Sequence, residues 1–239
     1  SGDFYDRFKR HERIDERKNV YKSKIFEPRL TLTSSYFTGH NIIFGVEHTT
    51  DELTSDRFVN RRMTTRSLHE TEYFLQDEWT VNSHWMLSSG VRTNFSKAFG
   101  FMWMPKIAIK YAPDNHWALR ANYSMGYRAP SIKELFFNWD HLGMFQIKGS
   151  ENLQSEKNNY FSLGAEYSKD RFFINVNAYA NIFNKKIEGV WRIYDMQYNF
   201  EYINLKSQRM LGVEAIMKWR LTDNFMLNAT YSYVNVSKD

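Results

Sequence analysis

The side chains able to do chemistry concentrate between Gly126 and Glu156. The run Gly126-Tyr127-Arg128-Ala129-Pro130-Ser131-Ile132-Lys133-Glu134-Leu135 brings a phenol, a guanidinium and a carboxylate close together in sequence. A second run, Gly149-Ser150-Glu151-Asn152-Leu153-Gln154-Ser155-Glu156, adds carboxylates. Between them Trp139, His141, Met144 and Phe145 set an imidazole among apolar and aromatic neighbours. A guanidinium accepts a carboxylate in a two-pronged fit, so Arg128 has two readings: contact with a ligand, or a structural pair with Glu134 or Glu156. Pro130 fixes its own φ and biases Ala129 towards extended geometry, as at the end of a strand. The chain has no G-x-S-x-G, no phosphate-cradling loop, no H-E-x-x-H and no carboxylate pair with a nucleophile beside it. These residues therefore read as a binding site and the chain as no enzyme. The candidate ligand-binding residues are His141, Tyr127, Arg128, Trp139, Met144 and Phe145.

The flanking sequence must position them, and its pattern is plain. Phe225, Leu227, Ala229, Tyr231 and Tyr233 alternate with Met226, Asn228, Thr230 and Ser232. Trp117 to Met125, Phe172 to Ala180 and Leu211 to Leu221 alternate likewise, with Ile216 the exception. Period two means strand. Runs of about ten residues exceed the usual globular strand of about five or six and match a tilted strand crossing a bilayer. Lys106, Lys110, Arg120, Glu166, Glu214 and Lys218 fall on the opposite, polar face, as expected of a wet interior wall.

Short links at 38–41, 82–84, 114–116, 169–171 and 223–224 are rich in Asp, Asn and Gly, which suit tight turns. All but the first are followed at once by an aromatic: Trp85, Trp117, Phe172 and Phe225. Longer links fall at about 51–69, 96–104, 127–158 and 182–208, so short and long alternate. Successive connections of an antiparallel meander lie at opposite ends, so one end carries the short turns and the other the loops. A girdle of aromatics beside short turns, with long loops opposite, is the asymmetry of an outer-membrane barrel. The expected fold is all-β, an antiparallel up-and-down meander of about ten strands that opens in a charged loop from Asp3 to Lys24. No run of apolar residues is long enough for a membrane helix.

Composition agrees. Aromatics make up 17% of the 239 residues, and cysteine is absent, which removes disulfides, thiol chemistry and Cys-based zinc sites. The net charge is +5, but 27 acids are mixed among 32 bases, so no nucleic-acid partner is expected. No apolar segment follows Ser1-Gly2-Asp3, so no signal peptide is read there.

The two runs around His141 give this pattern a family. Gly126 to Leu135 resembles the G-[FY]-R-A-P-S-x-x-E-L segment of TonB-dependent outer-membrane receptors. Gly149 to Glu156 is similar to their G-N-P-x-L-K-P-E segment, and Asn159 to Tyr167 to the strand that follows. Gly212-Val213-Glu214 and Asn228 to Tyr233 resemble later strands; the likeness covers about residues 25–239. It implies a barrel of about 22 strands in the outer membrane of a Gram-negative bacterium, of which residues 1–239 are one partial domain, lacking plug and closing strands. It places 127–158 as a long extracellular loop, and implies TonB, the plug and outer-membrane lipid as partners. Within the family, haem receptors carry a similar box and a histidine that ligates haem iron. This implies haem as transported ligand rather than cofactor, with His141 on the iron and aromatics over the porphyrin. Ser150, Glu151 and Ser155 depart from the Asn and Pro of the second box. Cobalamin or a ferric siderophore is the alternative cargo; a passive porin or structural barrel is the alternative of another class. Half a barrel leaves two edge strands, so edge-to-edge self-association is a further expectation.

Overall fold

The computed structural model describes residues 3–7, 18–59, 62–141, 144–194 and 197–238. Its strands are β1 (Asp3–Arg7), β2 (Lys18–Phe26), β3 (Arg29–Ser34), β4 (His40–Val59), β5 (Arg62–Thr80), β6 (Trp85–Ser96), β7 (Gly100–Tyr111) and β8 (Trp117–Arg128). After one short helix, α1 (Ile132–Phe136), come β9 (Asn138–His141), β10 (Phe145–Lys148), β11 (Glu156–Lys169) and β12 (Phe172–Asn184). The last are β13 (Ile187–Tyr194), β14 (Gln197–Asn204), β15 (Ser207–Thr222) and β16 (Phe225–Lys238).

A 12-stranded sheet runs in the order β1-β2-β4-β5-β6-β7-β8-β11-β12-β15-β16, with β3 also on β4, and does not close on itself. Strands β2 and β3 pair with successive stretches of β4 and form one strand interrupted at Glu27–Pro28. Proline cannot donate to a ladder, and the Pro28 carbonyl instead accepts the His48 N–H at 3.1 Å. With β2 and β3 taken as one, β1, β4 to β8, β11, β12, β15 and β16 bring the sheet to eleven strands, against about ten expected, all antiparallel. No described helix is long and apolar enough to cross a membrane, which says nothing of the strands.

Register sorts the two faces. Tyr111 opposes Trp85 and Leu119, Trp117 opposes Tyr167, and Phe172 opposes Trp219, which makes a continuous outward aromatic row beside the short turns. Trp85 and Tyr111 stack at 4.4 Å, and Trp117 lies 4.8 Å from Tyr167. Above them Ile107, Ile109, Leu119, Leu163, Val176, Leu211 and Val213 stay exposed as an apolar field. The other face is polar: Arg120 pairs with Glu166 at 3.1 Å, Arg92 with Glu72 at 2.9 Å, and Asn122 donates to Ser162 at 3.0 Å.

Three expected links differ. The stretch 51–69 is largely strand, since β4 and β5 run on past the apolar alternation to Val59 and Arg62. A ladder bonds through its backbone and needs no apolar face, and Thr suits it; Thr54 and Thr65 share a side-chain hydrogen bond at 2.8 Å. The link 96–104 shrinks to the turn 97–99, closed by Gly100 at φ +78, a left-handed geometry that glycine adopts without strain. Within 3–24 the described residues belong to β1 and β2.

The interior lies under the loops. The 127–158 segment narrows to a 129–155 connection holding α1, β9 and β10, and the 182–208 segment holds β13 and β14. These make a second sheet, β13-β14-β10-β9, in which β10 and β14 run parallel.

Candidate functional site

Ser131 starts α1 as its N-cap. Its hydroxyl accepts the Glu134 N–H at 3.3 Å, and the Glu134 carboxylate accepts the Ser131 N–H at 2.8 Å, so two orphan donors are satisfied at once. Arg128 donates to both Glu134 oxygens, at 3.1 and 2.9 Å, and to Glu156 at 3.3 Å. Glu156 also accepts the Ile187 N–H at 3.0 Å. The guanidinium thus ties β8, α1, β11 and β13 together. Ile132 packs with Leu53, Phe58 and Phe137, and Leu135 with Leu153 and Ile187. Gly149 crosses so close to α1 that an added Cβ would lie 2.7 Å from the Leu135 carbonyl carbon. The motif is a clasp that holds the loops over the end of the wall.

On that clasp stands the second sheet. Phe145 opposes Tyr198, Ile193 opposes Tyr198, and Trp191 and Ile147 oppose Phe200, so these apolar residues share one face. Gln146, Lys148, Arg192, Asn199 and Glu201 alternate onto the other. The lower part of the apolar face is anchored: Ile147 packs on the Ile132 cluster, and Phe200 meets Tyr202 edge-on at 5.2 Å. Burial raises the Tyr202 phenol above its ordinary range, and the Glu134 charge adds to this. The upper part is open: Trp191 and Met144 are both 59% exposed and Tyr198 is 56% exposed. Met144, Phe145, Trp191 and Tyr198 line a cleft of about 360 Å³. Phe145 meets Trp191 edge-to-face at 5.8 Å, and Trp191 meets Phe200 at 5.1 Å, so the ring faces are held apart.

The expected binding residues separate accordingly. Met144 and Phe145 line the cleft. Trp139 is set edge-on to Phe145 at 6.0 Å and covered by the Arg57 guanidinium at 4.3 Å. Arg128 is held in ion pairs, and Tyr127 hydrogen-bonds Ser155 at 3.3 Å. The His141 backbone ends β9 opposite Phe145; its side chain lies outside the described residues. Sequence reasoning missed Trp191 and Tyr198. The period-two run Val190-Trp191-Arg192-Ile193 inside the 182–208 link was the available signal.

Wall, clasp and loop sheet together define a class. A family model described as TonB dependent receptor-like, beta-barrel, matches residues 2–239, and the chain belongs to that family, whose members are Gram-negative outer-membrane proteins. It is 24% identical over 213 residues to the iron-regulated outer membrane virulence protein of Vibrio cholerae serotype O1, covering 82% of this chain and 32% of that protein. It is 19% identical over 182 residues to the ferric enterobactin receptor PirA of Pseudomonas aeruginosa, covering 70% and 24%. The crystal structure of the siderophore receptor PirA from Pseudomonas aeruginosa superposes with a TM-score of 0.77 at 16% identity, covering 92% of this chain and 42% of that one. The chain therefore spans about a quarter to a third of the length of the curated relatives it matches.

Proposed function

We propose that this chain is part of the wall and the outer mouth of a receptor that captures a ferric siderophore, for inward transport driven by TonB through a plug. The carrying observation is the open aromatic cleft of Met144, Phe145, Trp191 and Tyr198 on a sheet that the clasp holds above the lumen. A siderophore that binds iron through aromatic rings offers flat faces to such a site, and rigid aromatic anchors give contact area at low entropic cost. The names of the relatives, iron-regulated and ferric enterobactin receptors, support the same cargo. Loops 129–155 and 185–206 are on the extracellular side in this reading. Haem has less support: the box residues Tyr127 and Arg128, on which it drew, are already engaged within the protein.

Equilibrium dialysis of the intact receptor against ferric enterobactin tests the reading. Trp191→Ala with Tyr198→Ala weakens binding by about tenfold or more, and His141→Ala leaves it unchanged. A haemin Soret shift that disappears in His141→Ala would restore haem as the cargo.

A further inference from the structure

The inward face of β5 and β6 gathers acceptor oxygens beside the clasp. Register sets Glu70 opposite Ser96, Glu72 opposite Asn94 and Phe74 opposite Arg92, all towards the interior. Arg92 answers Glu72, donating to its Oε2 at 2.9 Å. Asn94 is fully buried, and its amide nitrogen donates to Glu72 Oε1 at 3.2 Å and to Glu70 Oε2 at 3.3 Å. Three buried oxygens of this group have no hydrogen-bond partner: Glu70 Oε1, Asn94 Oδ1 and Ser96 Oγ. Ser96 itself is only 8% exposed. Among the described residues Glu70 enters no ion pair. The next cation along β5 on this face, Arg66, is turned over the Phe136 ring at 4.8 Å. Two carboxylates therefore stand against one guanidinium, and a carboxylate oxygen buried without a partner is unfavourable. A single water brings two hydrogens to three oxygens and no charge to the carboxylate. Both strands run from here into the clasp. Leu68, two residues beyond Glu70 on the same face, packs on both clusters around α1, and Phe99, three beyond Ser96, packs on the Leu135 cluster.

We propose that this group binds a hard divalent cation, calcium, at the foot of the clasp. Glu70 Oε1, Asn94 Oδ1 and Ser96 Oγ are its protein ligands, water completes the shell, and the Arg92–Glu72 pair stays as it is. A carboxylate with neutral amide and hydroxyl oxygens is a donor set that calcium accepts in flexible geometry, whereas magnesium demands a stricter octahedron. The group holds no imidazole or thiolate, so it does not favour zinc or copper. The ion neutralises Glu70 and joins β5 to β6 just before Leu68 and Phe99 enter the clasp. Calcium thereby stiffens the loop end, whatever cargo the cleft takes.

The test is a calorimetric titration of the intact, chelator-treated receptor with calcium chloride in a non-ionic detergent. The expected result is binding with a Kd of about 10⁻⁴–10⁻³ M, weakened about tenfold or more in Glu70→Gln, which keeps the shape and removes the charge. Ser96→Ala weakens it by about threefold, and the heat-induced gel shift shows that both variants remain folded. Calcium slows hydrogen exchange of the 129–155 amides in the parent and leaves Glu70→Gln unchanged. Equal calcium affinity in parent and Glu70→Gln overturns the proposal. So does an absence of calcium binding, as when a cationic side chain of the plug already fills the group.

Discussion

The two ends of the wall are built on different principles. At the turn end each connection is local. Asn82 Oδ1 accepts the N–H groups of His84 and Trp85 at 2.8 and 3.0 Å, and Asp114 Oδ1 those of His116 and Trp117 at 2.7 and 2.9 Å. These are two copies of one Asx turn, each followed by a girdle tryptophan. At the loop end local bonds only start the clasp, and distant residues hold it: α1 packs on Leu53 and Phe58 from β4 and Ile187 from β13, and Arg128, which binds its Glu134, also binds Glu156 of β11. One end is fixed by sequence neighbours and the other also by residues up to 79 positions away, as Leu53 is from Ile132, so the second should open first and respond most to single changes.

Removing the core of the clasp should have the largest effect. Ile132 is 1% exposed between Leu53, Phe58 and Phe137. Ile132→Ala should cost the loop end about 2–5 kcal/mol. Hydrogen exchange of amides in 129–155 should accelerate while those of 112–116 and 223–224 stay as they are. Uniform acceleration at both ends would show that the two are one cooperative unit.

The same contrast explains what the sequence disclosed. The wall was legible because alternation, Asx-type turns and girdle aromatics are written in neighbouring residues; Trp117 to Met125 states its own face. The pairing of Arg128 with Glu134 or Glu156 was read from the sequence, and Glu134 stands three residues beyond Ser131, at capping-box spacing. The loop sheet was hidden, because β10 and β14 meet in parallel across some fifty residues of chain. The cleft formed by Met144 and Phe145 with Trp191 and Tyr198 follows from that pairing alone. The tip of the β4–β5 hairpin was concealed for another reason: its few apolar residues, among them Leu53, Phe58 and Leu68, are scattered among polar ones and do not alternate, so it carries a ladder without a period-two pattern.

A smaller effect comes from the charge at the centre of the clasp. Arg128→Ala leaves Glu134 and Glu156 facing each other without their cation and should cost about 1–3 kcal/mol of loop-end stability. Arg128→Lys should recover part of it, since an ammonium cannot fork to two carboxylates. Limited proteolysis within 129–155 reads both variants. Equal resistance in Arg128→Ala and the parent would mean that apolar packing alone holds the clasp.

The smallest effect belongs to the turn end, and it is a dependence on pH. The His116 and Trp117 N–H groups, donating to the Asp114 carboxylate, hold its pKa below the ordinary value. Because the folded-state pKa lies below that of the unfolded chain, the charged turn contributes stability above about pH 4, and loses it as the pH falls through the folded value. Asp114→Asn keeps the acceptor and removes the titration. Denaturant midpoints of parent and variant should therefore run parallel at neutral pH, with the parent falling relative to the variant only in acid. The carboxylate is fully exposed, so the gap should be slight beside that of Ile132→Ala. A gap as large would mean that the turn end is no mere local cap and that its Asx turns hold the strands in register.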